Sequence, residues 1–122
     1  MEKNAITLLE KHLAIWSERD EKIRNKNITE VYAPGIEIID PHFVLNGYSQ
    51  LNSLIEDLHK KFPDYKFTLK KPVEHHNNVA RLYWQLGSES KPDVETGMDV
   101  VTIENGLIKT LIVFIDPQEL RY

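Results

Sequence analysis

Three residues in this 122-residue chain stand where a charge or a titrating ring is costly. Asp40 closes the run Ile36-Glu37-Ile38-Ile39 and precedes Pro41. An aspartate before proline is an ordinary strand terminus. It is equally placed to project into a cavity, where partial desolvation turns a carboxylate into a general base. Asp99 alternates with Val101 and Ile103 on one face of an extended run. An unpaired carboxylate is expensive in apolar surroundings. Asp99 is therefore exposed at the strand start, pairs with a donor such as Arg81 or Lys109, or keeps its proton. His12 falls inside the apolar arc of the first helical segment. A histidine there is either a core-edge residue satisfied by one hydrogen bond or a neutral acid–base group facing a cavity.

Aromatic residues supply the walls that such chemistry needs. Trp16, Tyr32, Phe43, Phe62 and Trp84 can line an apolar pocket, with Trp84 and Phe43 nearest its mouth. Trp16 and Phe62 read equally well as plain core. The absence of Cys removes disulfides, thiolate nucleophiles and cysteine-ligated metal sites. No serine occupies a G-x-S-x-G elbow, and no Walker-type loop is present. The spacing of His12, Asp40, His42 and Asp99 specifies no metal, and the adjacent His75-His76 pair lies in a polar turn. No metal and no cofactor are implied.

The elements that must position these groups follow from periodicity. Residues 4 to about 19 form an amphipathic helix, with Leu8, Leu9, Leu13 and Trp16 gathered on one side. A second helical stretch covers Asp20–Lys26, and Asn27 with Glu30 resembles a capping box for a short turn ending near Tyr32. Pro34-Gly35 stops it. Ile36–Asp40 and Phe43–Leu45 are short extended runs, and Asn46-Gly47 is a hairpin-type turn signal. Ser49 can cap a helix whose apolar face is Leu51, Leu54, Ile55, Leu58 and Phe62. Beyond Pro63-Asp64 the period becomes two. Ala80, Leu82, Trp84 and Leu86 share one face of Val79–Leu86. Met98–Ile103 and Leu107–Ile115 are joined by Asn105-Gly106, a strong two-residue hairpin signal. His75–Asn78 is a further turn, and Gly87–Gly97 is a longer loop.

This order gives an α+β layer architecture in a single domain, 1–122, with helices on one sheet face. The other face also carries apolar residues, among them Tyr83, Val100 and Val113. A homodimer packed sheet to sheet covers them. The formal net charge of −4 disfavours a broad nucleic-acid or anionic-membrane surface. The start MEKNAITLLEKHLAIW is broken by charges and lacks a signal-type apolar core, and the longest apolar run, Leu111–Ile115, is of strand length. Cytoplasmic location is the resulting expectation.

Several segments in order resemble the SnoaL-like branch of the NTF2-like, or cystatin-like, superfamily. They are WSERD at 16–20, YAPGIEIIDP at 32–41, Gly47 leading a helix into KFPDY at 61–65, GMDVVTIENGLI at 97–108 and VFID at 113–116. The resemblance covers nearly the whole chain. It implies a cone with a pocket between a curved, mostly antiparallel sheet and three helices from the N-terminal half, dimerised through the sheet. A distant resemblance to ketosteroid isomerase is also present. There an aspartate base faces a neutral acid and a tyrosine. Asp40 in I-I-D-P matches the base, Asp99 in G-M-D-V-V the protonated acid, and His12 stands where the tyrosine would be. Polyketide-cyclase-like relatives use a pocket carboxylate in a similar way. The epoxide-hydrolase branch needs an Asp–Arg–Asp set that Arg81 alone does not supply.

The function implied is an isomerase or cyclase that transfers a proton beside a carbonyl of a small apolar or cyclic molecule. Asp40 would take the proton, and His12 and Asp99 would donate to the oxygen that gains charge. Trp84, Phe43, Tyr32 and Trp16 would hold the ligand. The same pocket serves equally for a ligand-binding or accessory homodimer without turnover.

Overall fold

The computed structural model describes residues 4–117. Its elements are α1 (Ala5–Ser17), α2 (Glu21–Val31), β1 (Tyr32–Asp40), β2 (Phe43–Asn46), α3 (Gly47–Lys61), β3 (Lys66–His76), β4 (Val79–Gly87), β5 (Glu95–Glu104) and β6 (Leu107–Ile115). Asn4 begins α1 by accepting from the backbone N–H groups of Ile6 and Thr7, the bond that an asparagine cap is suited to make. Asp20 does the same for α2 with Lys22 and Ile23. The second helix runs unbroken to Val31, so Asn27 and Glu30 start no new turn. Its continuity is set by Ile28 and Val31, both buried in the core.

Pro34-Gly35 does not precede the first strand but lies within it. The β1–β6 ladder is irregular between Tyr32 and Glu37, so the missing proline N–H costs no regular ladder bond. Pro41 and His42 make the β1–β2 turn. Asn46-Gly47 instead opens α3, where Gly47 has φ +86°. The cap residue is Asn46 rather than Ser49, and its backbone N–H donates to Gln50 Oε1 at 2.8 Å.

The six strands are ordered β2-β1-β6-β5-β4-β3. This corrects the expected curved cone. The sheet is open, with β2 and β3 as separate edges that do not pair, so it is not curled upon itself. It is also mixed. The β1–β2 hairpin and the β3–β6 meander are antiparallel, but β6 returns beside β1 in parallel. The cause is α3, which carries the chain from β2 to the far edge before the meander begins. Sheet closure therefore does not form the pocket. The helices do, by packing across one face.

Strand alternation places Ala80, Leu82, Trp84 and Leu86 under the helices, all buried. Val113 was expected on the outer face and is found on the inner one. The register of β5 against β6 shifts between Thr102 and Ile103, so that Lys109 is an extra residue. A bulge of this kind exchanges the faces of the residues beyond it. Val113 thereby lies directly opposite Asp99. Among the described residues no helix is long and apolar enough to cross a membrane.

Asn105 and Gly106 join β5 to β6 with φ of 56° and 79°. Positive φ at both central positions is what a tight hairpin turn of matching twist requires. Replacing Gly106 with Val is expected to cost roughly 1–3 kcal/mol through turn strain. Chemical denaturation reads this directly, and an unchanged midpoint would contradict it.

Candidate functional site

A cavity of about 310 Å³ lies between the sheet and the helices α1 and α3. Leu13 and Trp16 come from α1, Leu54, Leu58 and Lys61 from α3, and Phe62 from its end. Asp40, Phe43, Phe67, Trp84, Leu86, Glu95, Asp99 and Val113 come from the strands, and His42 from the β1–β2 turn. The walls are mostly apolar, with polar groups at a few points, the usual form of a small-ligand site.

Asp99 is the most deeply set of these polar groups, with the residue only 7% exposed. It does not pair with Arg81 or Lys109. Arg81 belongs to the other face of β4 and bonds Glu74 at 2.7 Å, while Lys109 lies 3.5 Å from Glu104. Asp99 instead takes His12 Nε2 at 2.8 Å on Oδ2 and the Trp84 indole N–H at 2.9 Å on Oδ1. Trp84 reaches it because its cross-strand neighbour is Gly97. A Cβ on Gly97 would overlap the Trp84 ring and the Phe114 carbonyl oxygen.

The proton positions follow from the partners. Trp16 Nε1 donates to the Tyr32 hydroxyl oxygen at 3.1 Å, and the same hydroxyl lies 2.5 Å from His12 Nδ1. Tyr32 is fully buried, and burial pushes its phenol far above the ordinary value. The hydroxyl therefore keeps its proton and must place it somewhere. His12 Nδ1 is the available acceptor. This leaves Nε2 as the protonated nitrogen, which donates to Asp99. The chain of bonds runs from Trp16 to Tyr32 to His12 to Asp99, with Trp84 meeting Asp99 from the other side. Every member is satisfied.

Of the residues singled out from the sequence, Asp40, Asp99, Trp16, Phe43 and Trp84 stand on the cavity wall. His12 and Tyr32 stand behind it. Their exposures are 1% and 0%, and both ring nitrogens of His12 are spent on Tyr32 and Asp99. No ring nitrogen of His12 is left to point into the cavity. Asp99 accepts from the Trp84 N–H and is hydrogen-bonded to His12 Nε2. Asp40 is half-buried, and its Oδ1 accepts from the His42 backbone N–H at 2.9 Å.

Lys61, Glu95 and Gly97 were not anticipated. Lys61 is the last residue of α3 and extends the helix face that carries Leu54 and Leu58. Glu95 begins β5 and shares the parity of Asp99, a signal that an earlier strand start would have revealed. The Gly97 signal is its position two residues before Asp99. Among the described residues no group of three or more His, Cys, Asp or Glu side chains is arranged to hold a metal ion.

The SnoaL-like domain family matches residues 9–111. A crystal structure of a candidate isomerase of the SnoaL-like family from Agrobacterium tumefaciens str. C58 is similar at 31% identity and TM-score 0.85, covering 91% of this chain and 96% of that one. A candidate ketosteroid isomerase from Kribbella flavida DSM 17836 shares the fold at 13% identity and TM-score 0.70, over 93% and 78% of the two chains. A candidate polyketide cyclase from Sinorhizobium meliloti does so at 15% identity and TM-score 0.70, over 88% and 93%. Among curated proteins none matches.

Gly97→Ala is expected to displace the Trp84 indole from Asp99 and to destabilise the fold by roughly 1–3 kcal/mol, the range for forcing extra volume into a packed site. Denaturation together with the near-ultraviolet circular dichroism of the tryptophans measures both effects. A variant with wild-type stability and an unchanged tryptophan spectrum would refute the close-approach account.

Proposed function

The chain belongs to the SnoaL-like domain family, and from that premise we propose that its cavity is the site of a proton transfer beside a carbonyl, in the manner of an isomerase or a cyclase. The substrate is a small apolar or cyclic molecule. The observation that carries this reading is that two carboxylates, Asp40 and Asp99, line one mostly apolar cavity. A carboxylate partly withdrawn from water is a competent base toward a carbon acid, given a positioned substrate.

Asp40 takes the proton in this scheme. Its Oδ1 accepts from the His42 N–H, which leaves Oδ2 to take the proton in this scheme. Negative charge developing on the carbonyl oxygen is met by Lys61, the lysine on the cavity wall. His12 is a positioning residue that orients Asp99. Trp16, Phe43 and Trp84 hold the apolar body of the substrate.

A specific observation favours a second reading, a ligand-binding protein without turnover. Both nitrogens of His12 are occupied within the protein, as in a purely structural network. Exchange of solvent deuterium into the carbon next to the carbonyl of cyclic ketones, followed by NMR, separates the two. The wild-type protein is expected to accelerate exchange, and Asp40→Asn to lower the rate by about 10²-fold or more while remaining folded. No acceleration across a panel of cyclic ketones would remove the enzymatic reading in favour of the second.

The outer sheet face supports a homodimer. Val44 and Phe114 are 57% and 54% exposed. Val44, Ile39, Ile112 and Val100 follow one another across β2, β1, β6 and β5 through successive register pairs, and Met98 is paired with both Phe114 and Tyr83. Light scattering is expected to give a mass near twice 14.2 kDa. A mass that stays at 14.2 kDa at every concentration would exclude the dimer.

A further inference from the structure

The polar groups at the inner end of the cavity have a one-sided hydrogen-bonding capacity. Four donors cluster there, and each is consumed inside the protein. The Trp16 N–H goes to Tyr32, the Tyr32 O–H to His12, and the His12 Nε2–H and Trp84 N–H both go to Asp99. Of the acceptors in this set, only Asp99 both retains capacity and reaches the cavity wall. An ionised carboxylate has about four lone-pair sites, of which two are used here. Asp99 is on the cavity wall, whereas His12 and Tyr32 are not. A ligand that reaches the inner end therefore meets an acceptor and no free donor.

Charge sharpens the selection. The two groups bonded to Asp99 are a neutral imidazole and an indole in the proton arrangement derived above, so neither cancels its charge. Asp40 adds a second carboxylate to the wall. A carbonyl oxygen directed at Asp99 would place two acceptors face to face in a poorly solvated site, which is unfavourable. An N⁺–H directed there would make a charge-assisted hydrogen bond. The apolar walls formed by Leu13, Leu58, Phe67 and Val113 require the rest of the ligand to be hydrocarbon.

We infer that the ligand of this cavity is an amine: a compact apolar molecule carrying a protonated amino group that seats on Asp99. This rests on the reading of the cavity as a ligand site and narrows its substrate class. A carbonyl compound that is also a substrate would bear the ammonium at its inner end and present its reactive carbon to Asp40.

The test compares three bicyclic probes of one skeleton, 2-aminotetralin, 2-tetralone and tetralin, at neutral pH. The protein has two tryptophans, Trp16 and Trp84, both on the cavity wall, so quenching of intrinsic fluorescence reports binding. The amine is expected to bind at least about 10-fold more tightly than the ketone, the scale of one charge-assisted hydrogen bond. Asp99→Asn is expected to erase that preference. Should this variant not fold, the wild-type complex still locates the amine, through nuclear Overhauser contacts between the Trp84 indole N–H and the carbon bearing nitrogen. A ketone that binds as tightly as the amine, or an amine whose nitrogen end is remote from Trp84, overturns this inference and leaves proton transfer to be judged by deuterium exchange. Failure of all three probes to bind saturably overturns the ligand-site reading as well.

Discussion

The buried carboxylate of Asp99 is the constraint to which the surrounding structure answers. It sits on a central strand, 7% exposed, and a charge in that position is tolerated only when donors are brought to it. One donor comes from the adjacent strand, Trp84, and the other from α1, His12. Losing either would leave a poorly solvated acceptor short of a partner, at a cost of about 1–3 kcal/mol. The bond to His12 also sets the rotation and height of α1 on the sheet. Trp16, one turn further along the helix, makes a second attachment through Tyr32. The apolar residues Leu8, Leu9 and Ile15 provide the burial that holds α1 down, but burial alone does not choose one rotation. The polar pins do.

The other wall of the cavity is fixed by two arginines. Arg24 is 1% exposed. Its guanidinium bonds the Glu18 carbonyl, Asn52 and Glu56, which ties the start of α2 to α3. Arg19 donates to the carbonyls of His59, Phe62 and Tyr65. The His59 carbonyl is one of those that α3 leaves unpaired in its last turn, Phe62 caps the helix and Tyr65 lies beyond it, so Arg19 fastens the helix end and the segment after it, next to Phe62 and Lys61 on the cavity wall. His59 links α3 to α1 by donating from Nε2 to the Trp16 carbonyl at 2.8 Å. Desolvation lowers its pKa, which keeps the ring neutral. The cavity remains because both helices are anchored by polar bonds at positions that do not let them collapse together.

These attachments also decide the polarity of the site. Of the groups that the family resemblance pointed to, His12 and Asp99 are hydrogen-bonded to each other, and Asp40 lines the same cavity as Asp99. The hydrogen bonds of His12 and Asp99 run inward, however, and not toward a ligand. Hydrogen bonds already made within the protein cannot stabilise charge on a substrate without being broken. The side-chain donors left on the wall are therefore Lys61 at the end of α3 and His42 in the β1–β2 turn, and the inner end is left to an acceptor. The same residue types joined through different bonds would favour a different ligand.

The sequence by itself determined what depends on neighbours two to four residues apart. Period placed α1, the α3 face and the inward set Ala80, Leu82, Trp84 and Leu86. Asn105-Gly106 marked its turn, and Asp40 and Asp99 stood out as carboxylates at the edges of apolar runs. The resemblance in order and spacing identified the family. Only the tertiary structure decided the open mixed sheet, because the parallel pairing of β1 with β6 depends on where α3 delivers the chain. It also decided that Val113 faces inward, since one extra residue at Lys109 reverses the alternation. The proton arrangement was hidden for the same reason. His12 meets Tyr32 across 20 residues and Asp99 across 87. No local pattern encodes a bond whose two ends are brought together only when helix and sheet have packed.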